Sequence, residues 1–375
     1  MKRRQILSRL GALGLLMTRP LRAETGRILI GQSAALSGPA RALGEDFRHG
    51  AALWFDHVNA GGGVAGREIE LRTLDDGYEP ERCAANTQRL IGEGVLALFG
   101  YVGTPTSLVA LPLATAARVP FVAPLSGAQA LRTPFNPYAF HVRASYADET
   151  AEIVKQATAI GVRRVGVFYQ NDSYGQSGLS GVAQALKGYE LSPVGLGTAE
   201  RNTVDVEAAV KTILEANPEV IVLVSTYKTC AAFIRAARAT GFTGTFYNVS
   251  FVGTKALANE LGGQARGVIV SQVMPYPYSS ATPISGEYLA AGKAAAGDRF
   301  EPNYTSMEGY VAARALVAGL RRAGRNPTSE GLVKGLDSMH DLDLGGFFVD
   351  FSGQKHTGSK LVELTILTED GKVRR

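Results

Sequence analysis

Cysteine and histidine are scarce in this chain, with two and five copies in 375 residues. Cys83 falls in a helical pattern of the first half and Cys230 in another helix of the second. Neither a disulfide framework nor a bridge between them is expected, even in an oxidising compartment. His49 and His57 share a helix but stand too far apart for a one-turn ligand pair, and His141, His340 and His356 are scattered, so no metal centre is expected. The chain has no G-x-S-x-G, G-x-x-x-x-G-K-[ST], H-E-x-x-H or C-x-x-C. Without a nucleophile elbow, a phosphate loop or a metal or redox motif, neither an enzyme nor a bound cofactor is expected. Gly61-Gly62-Gly63-Val64-Ala65-Gly66 matches G-x-G-x-x-G, yet it follows a helical pattern and precedes a strand pattern. A dinucleotide site needs the reverse order, so this is a helix stop and turn. Runs of like charge and low-complexity tracts are also missing.

The longest apolar stretch, Ile6 to Met17, is interrupted by Arg9 and too short to span a bilayer. With Lys2-Arg3-Arg4 before it and Leu21-Arg22-Ala23 after it, residues 1–23 read as an export signal, and Arg3-Arg4-Gln5-Ile6-Leu7 also fits a twin-arginine signal. The mature chain then starts near Glu24, outside the cytoplasm. Residues 1–23 hold six Lys/Arg and no acid, so the net charge of +5 becomes 33 basic against 34 acidic residues. A nearly neutral mature chain gives no electrostatic reason to expect nucleic acid, and it is expected to be soluble.

Some 350 mature residues exceed what one core usually organises, which predicts two domains. Strand patterns at 27–31, 68–74, 95–99, 121–123, 165–169, 220–224 and 267–271 alternate with helical spacing, for example Phe47, Ala51, Trp54 and Val58 on one face. Helices are also expected over 81–91 and near 175–187, 204–216, 228–240 and 255–262. Such alternation predicts an α/β chain with doubly wound parallel sheets. After residue 280 the pattern turns to helices at 280–297, 303–323 and 328–338, then to strand-like segments 345–351 and 360–368. A helical return with a terminal strand pair implies that the chain crosses between domains more than once.

The turn Gly100-Tyr101-Val102-Gly103-Thr104-Pro105-Thr106 joins the strand 95–99 to a helix beginning at Thr106. In an open α/β sheet that is where ligands bind, with unpaired helix N–H groups on offer. Thr104 and Thr106 can hold a ligand or cap the helix, and both readings stand. Asp75-Asp76, at a strand end without a nearby partner, reads as a turn and capping pair.

Ile30 to Pro39 (IGQSAALSGP), Asn59 to Arg67 (NAGGGVAGR), Asp75-Asp76, Val119 to Pro124 (VPFVAP), Tyr169 to Gly175 (YQNDSYG) and Glu308-Gly309-Tyr310 occur in that order along the mature chain. As an ordered set they resemble the extracytoplasmic solute-binding proteins of the branched-chain amino acid ABC-transporter family. The resemblance implies a type I periplasmic-binding-protein fold, with two doubly wound lobes joined by three crossovers near 143–147, 272–278 and 343–349. Lobe 1 would hold 24–145 plus 276–345, and lobe 2 would hold 146–275 plus 346–375. It implies a monomer that captures a small-molecule ligand and delivers it to a membrane permease. A receptor that hands a signal to a membrane partner is the alternative.

The same resemblance implies ligand contacts. Gly103 to Ser107 matches a carboxylate-binding turn with Thr106 at its hydroxyl position beside Thr104, and Ser126-Gly127 matches a second such turn. Tyr174 and Tyr227 match aromatic positions on the opposite lobe, and Leu43 a position that often faces the cleft. Ser126 can equally be a turn residue, and either tyrosine can simply pack at a lobe surface. Amino-acid binders usually place an acidic residue where Ser250 roughly stands, to meet the ligand's ammonium. A buried ammonium without an anion is costly, so an amine-free ligand is expected: a carboxylate, an amide or a larger lipophilic molecule. The cysteine pair of some members is incomplete, because Cys83 would need a partner near Gly103.

Overall fold

The computed structural model describes residues 26–375; the export signal expected over 1–23 lies outside the described residues. The chain begins with β1 (Ile28–Ala34), α1 (Arg41–Ala60), β2 (Ile69–Asp75), α2 (Pro80–Gly92), β3 (Ala97–Phe99), α3 (Thr104–Ala116), β4 (Phe121–Val122) and β5 (Ala139–Phe140). These strands form one parallel sheet in the order β2-β1-β3-β4-β5. β1 and β3 are buried almost throughout, as strands covered by helices on both faces must be.

The second half runs α4 (Tyr146–Ala159), β6 (Val165–Gln170), α5 (Ser173–Lys187), β7 (Gly195–Ala199), α6 (Glu207–Glu215), β8 (Val220–Val224), α7 (Tyr227–Ala239), β9 (Thr245–Asn248), α8 (Thr254–Leu261) and β10 (Ile269–Gln272). Then α9 (Pro283–Ala296), α10 (Tyr304–Arg322) and α11 (Ser329–Asp337) follow, with α10 packed along α1. A Cβ on Gly50 would lie 1.7 Å from the Ser306 carbonyl oxygen, and one on Gly309 would lie 2.0 Å from that of Phe47. The two helices therefore meet backbone to backbone.

β11 (Leu342–Asp343) and β12 (Phe348–Val349) form a hairpin, and β13 (Glu363–Leu367) and β14 (Val373–Arg374) complete a second sheet in the order β14-β13-β10-β9-β8-β6-β7. Within it β13 runs antiparallel to both its neighbours, β10 and β14, and the other pairings are parallel. The fold is that of the type I periplasmic binding proteins, an α/β chain with two doubly wound lobes.

Several elements escape the hydrophobic pattern. α4 has no strong apolar period, but a capping box starts it: the Ser145 hydroxyl accepts from the Asp148 N–H at 3.1 Å, and the Asp148 carboxylate accepts from the Ser145 N–H at 2.9 Å. β7, with the sequence GLGTA, is a glycine-bearing edge strand, and β5 has two residues. The strand expected at 345–351 shrinks to one arm of a hairpin. Cys83 and Cys230 are both buried free thiols.

Asp75 accepts from Ser37 and from the Leu36 and Gly77 N–H groups, and Asp76 from Ser33 and the Tyr78 N–H, so both shape turns. His141 and His356 are buried and hydrogen-bonded to the Leu131 and Ala139 carbonyls. His340, Asp341 and Asp350 gather at the surface outside the cleft described next.

Candidate functional site

The loops at the carboxyl ends of β3, β4, β6, β8 and β9 face one another between the lobes. On the first lobe, Gly103 caps α3 with φ 99°, and its N–H donates to the Leu125 carbonyl at 3.2 Å, which stitches the two turns together. Thr104 and Ser126 share a hydrogen bond of 2.8 Å between their hydroxyls, and Ser126 also accepts from the Ala128 N–H. Both residues are fully buried. The Thr106 hydroxyl donates back onto the Val102 and Gly103 carbonyls at 2.5 and 3.0 Å, a back-bond rather than a cap, and α3 starts without a side-chain cap hydrogen bond.

Gly127 accepts the Tyr146 N–H at 2.8 Å, and a Cβ there would meet Tyr146 at 2.6 Å. Tyr146, the first residue of α4, thus lies flat on the second turn. Burial pushes its phenol up to about 12, and its hydroxyl has no partner in hydrogen-bonding geometry. Its ring is 5.3 Å from that of Tyr174, which is 4.8 Å from that of Phe251; Tyr78 stands 6.0 Å beyond Phe251. Ser225 and Thr226, just before α7, also carry buried hydroxyls without partners. Unpartnered buried hydroxyls are costly, and here they collect between two lobes.

Of the residues singled out from the sequence, Thr104, Ser126, Gly127 and Tyr174 come together around Tyr146. Tyr227 and Leu43 lie instead at lobe-to-lobe contacts: the Tyr227 hydroxyl accepts the Ala42 N–H at 3.4 Å, and the Leu43 side chain fills the space a Cβ on Gly253 would need. Leu43 also lines a cavity of about 10 Å³, shared with Leu125, Ser250, Phe251 and Glu308, which is room for about one water. The lobes are closed on each other.

Ser250 carries no acid of its own, but the sequence did not reveal that one carboxylate bonds it and a second stands near it, both from elsewhere in the chain. Glu149 of α4 accepts from the Ser250 N–H at 2.7 Å, from the Ser250 hydroxyl at 3.0 Å and from Ser271 at 2.5 Å. Arg143 donates to Glu149 at 3.0 Å and also to the Ser250 hydroxyl. Glu308 of α10 faces Arg143 at 3.5 Å. Burial opposes the charge of Arg143, but Glu308 and Glu149 outweigh it and hold the guanidinium above its ordinary range. Burial pushes Glu308 up to about 7, with Arg143 limiting the rise. Arg132, also buried, donates to the Ser126, Arg143 and Ala144 carbonyls and so ties the second turn to this cluster.

Sequence reasoning missed Tyr78, Arg132, Arg143, Tyr146 and Glu149. The Ser145-x-x-Asp148 box was the available signal for the last two, since it fixes where α4 begins.

A clasp closes the mouth of the cleft. Arg201 pairs with Glu79 at 2.9 Å, Asn202 donates to Glu79 at 2.7 Å and to the Gly77 carbonyl at 3.2 Å, and Gln170 donates to the Tyr78 hydroxyl at 3.2 Å.

Two parallel-sheet lobes that close over polar groups at their strand ends define a ligand-binding protein of the cleft-closing kind. A family model described as "Periplasmic binding protein" matches residues 27–372, and the chain belongs to that family. Members of this family are binding proteins, and the chain is not an enzyme. It is similar to a structure of a possible leucine/isoleucine/valine-binding protein from Rhodopirellula baltica, with 34% identity, 93% of this chain and 96% of that one covered, and a TM-score of 0.89. A substrate-binding periplasmic protein from Ralstonia solanacearum is 33% identical over 92% of this chain and 99% of its own, with a TM-score of 0.87. Leu/Ile/Val-binding protein homolog 8 of Brucella abortus is 25% identical over 94% of this chain and 90% of its own.

Proposed function

We propose that this protein is the extracytoplasmic receptor of an ABC-type uptake system, exported by its leader to the periplasm and acting there as a monomer. It captures a small carboxylate-bearing, amino-acid-like or more lipophilic solute by cleft closure and presents the closed form to a membrane permease. The lobes would divide as 24–145 plus 276–345 and 146–275 plus 346–375. One observation carries this reading: partnerless buried hydroxyls of Tyr146, Ser225 and Thr226 converge on the closed cleft beside the Thr104–Ser126 pair. Neutral donors at strand ends can hold an oxyanion, with Tyr174 and Phe251 as the apolar wall. The names of the Rhodopirellula and Brucella relatives support an amino-acid-like ligand.

Thermal unfolding of residues 24–375 against amino acids, amine-free carboxylates, amides and lipophilic molecules tests it. A ligand at a hundred times its Kd adds about 2.7 kcal/mol. No stabilisation by any class of the panel rejects the receptor assignment.

The clasp predicts a kinetic signature. Arg201 and Glu79 are partly exposed, so their pair contributes about 0.5–1 kcal/mol to closure. Arg201→Ala is expected to raise the ligand dissociation rate about two- to fivefold in stopped flow, and the difference shrinks in 1 M salt. An unchanged rate rejects a role for the clasp in holding the closed form.

A further inference from the structure

Five charged groups are buried or partly buried around the second turn and the Ser250 cavity, and two of the acids have partners assigned. Arg132 is faced by Asp148, whose carboxylate is fixed on Ser145, and Arg143 is faced by Glu149. The Glu149 carboxylate is saturated by Arg143, the Ser250 N–H and hydroxyl, and Ser271. Glu308 is the acid left over. It lines the small cavity beside Ser250, and among the described residues no donor lies in hydrogen-bonding geometry to either of its oxygens. Beside it the cavity has Leu43, Leu125 and Phe251 as apolar walls and Gln272, Tyr304 and Thr305 as polar ones.

We propose that Glu308 is the ligand-facing acid of this cleft and receives a cationic nitrogen of the solute, taking from α10 the role that Ser250 cannot take after β9. This rests on the receptor reading above and reverses the amine-free expectation from the sequence. An acid this deeply buried is destabilised by its own desolvation, which Arg143 at 3.5 Å offsets only in part, and a bound ammonium supplies a second counter-charge. The groups that face Glu308 are Arg143 from the segment before α4, Glu149 from α4 and, more weakly, Arg132; around the cavity α1 brings Leu43, β10 brings Gln272, α10 itself brings Tyr304 and Thr305, and Ser250 and Phe251 after β9 are neutral.

Proton and ammonium then compete for one carboxylate. With the carboxyl titrating near 7, affinity for an amine-bearing ligand falls about tenfold from pH 8 to pH 6. A protonated Glu308 that instead donated to an anionic ligand would give the opposite slope.

The test uses matched pairs that differ only in the amine: leucine with 4-methylpentanoate, and phenylalanine with 3-phenylpropanoate. Within a pair that stabilises the mature protein, the amine-bearing member is expected to bind at least tenfold more tightly, and Glu308→Gln to abolish that preference. The variant also has a ligand-free readout. The native carboxyl titrates higher than the 4.5 of an unfolded glutamate, so folding binds the proton more tightly and stability falls as pH rises from 4.5 to 7. Glu308→Gln is therefore expected to melt higher than wild type at pH 8 and to flatten that slope, so a folding defect cannot explain its lost preference. Equal or tighter binding of the amine-free members, or a preference kept in Glu308→Gln, overturns the inference while leaving the receptor reading intact. Stabilisation by no compound of these pairs or of the wider panel overturns the receptor reading and the inference with it.

Discussion

Glu149→Ala is expected to lower unfolding stability by about 3–5 kcal/mol in urea titration, the cost of leaving one member of a buried ion pair without the other. Arg143 is 1% exposed and Glu149 is fully buried. Removing the carboxylate strands the guanidinium, the Ser250 N–H and the Ser271 hydroxyl together, in a place where the protein offers few replacements. Glu308 replaces it only in part, because it stands 3.5 Å from Arg143 and burial pushes its carboxyl up to about 7. Glu149→Gln keeps the shape and an acceptor for Ser250 but not the charge, so it is expected to lie between wild type and Glu149→Ala. Adding Arg143→Met to Glu149→Ala removes the stranded charge and is expected to restore part of the loss, a non-additivity that a simple cavity would not produce. A loss below 1 kcal/mol in the single variant would mean that water reaches Arg143 and that the pair does not hold α4 to Ser250 and Ser271.

The same cluster explains how far the sequence could be read. The parallel alternation was legible because β1, β3, β6 and β8 are buried on both faces and must be apolar, and α1 shows its packed face through Phe47, Ala51 and Val58. The turn at Gly103 was legible because a strand, a glycine and a threonine-rich helix start follow one another. Arg143 and Glu149 were not, since a charged residue reads as solvated until its partners are known, and theirs come from α4, β10 and the segment after β9. Ser250 illustrates the limit from the other side. The position itself carries no acid, and the acids near it arrive from α4 and α10, 101 and 58 residues away along the chain, where no local pattern points to it. Tyr78 and Tyr146 were missed for a related reason: an aromatic residue beside a turn carries no pattern of its own.

Gly103→Ala is expected to weaken binding of any ligand of the cleft by at least tenfold, measured by calorimetry on a variant that still folds. Gly103 has φ 99° and ψ 160°, a conformation open to glycine and costly for alanine by about 1–3 kcal/mol. The added methyl would also sit 2.1 Å from Cε2 of Tyr78. Tyr78 cannot step aside freely: Asp76 holds its N–H at 2.8 Å, and its hydroxyl receives Gln170 from the opposite lobe at 3.2 Å. Relief of the clash therefore acts on the closed form, by displacing the ring that bridges the lobes. A bias of about 1.4 kcal/mol against closure already lowers affinity tenfold, because a ligand must first restore the closed population. The backbone strain and the clash can be separated by Tyr78→Ala. If the clash with Tyr78 carries the effect, Gly103→Ala costs little further affinity in a Tyr78→Ala background; if backbone strain at the α3 cap carries it, the cost is the same in both backgrounds. Wild-type affinity in Gly103→Ala would show that the turn tolerates a side chain and that Tyr78 does not gate closure.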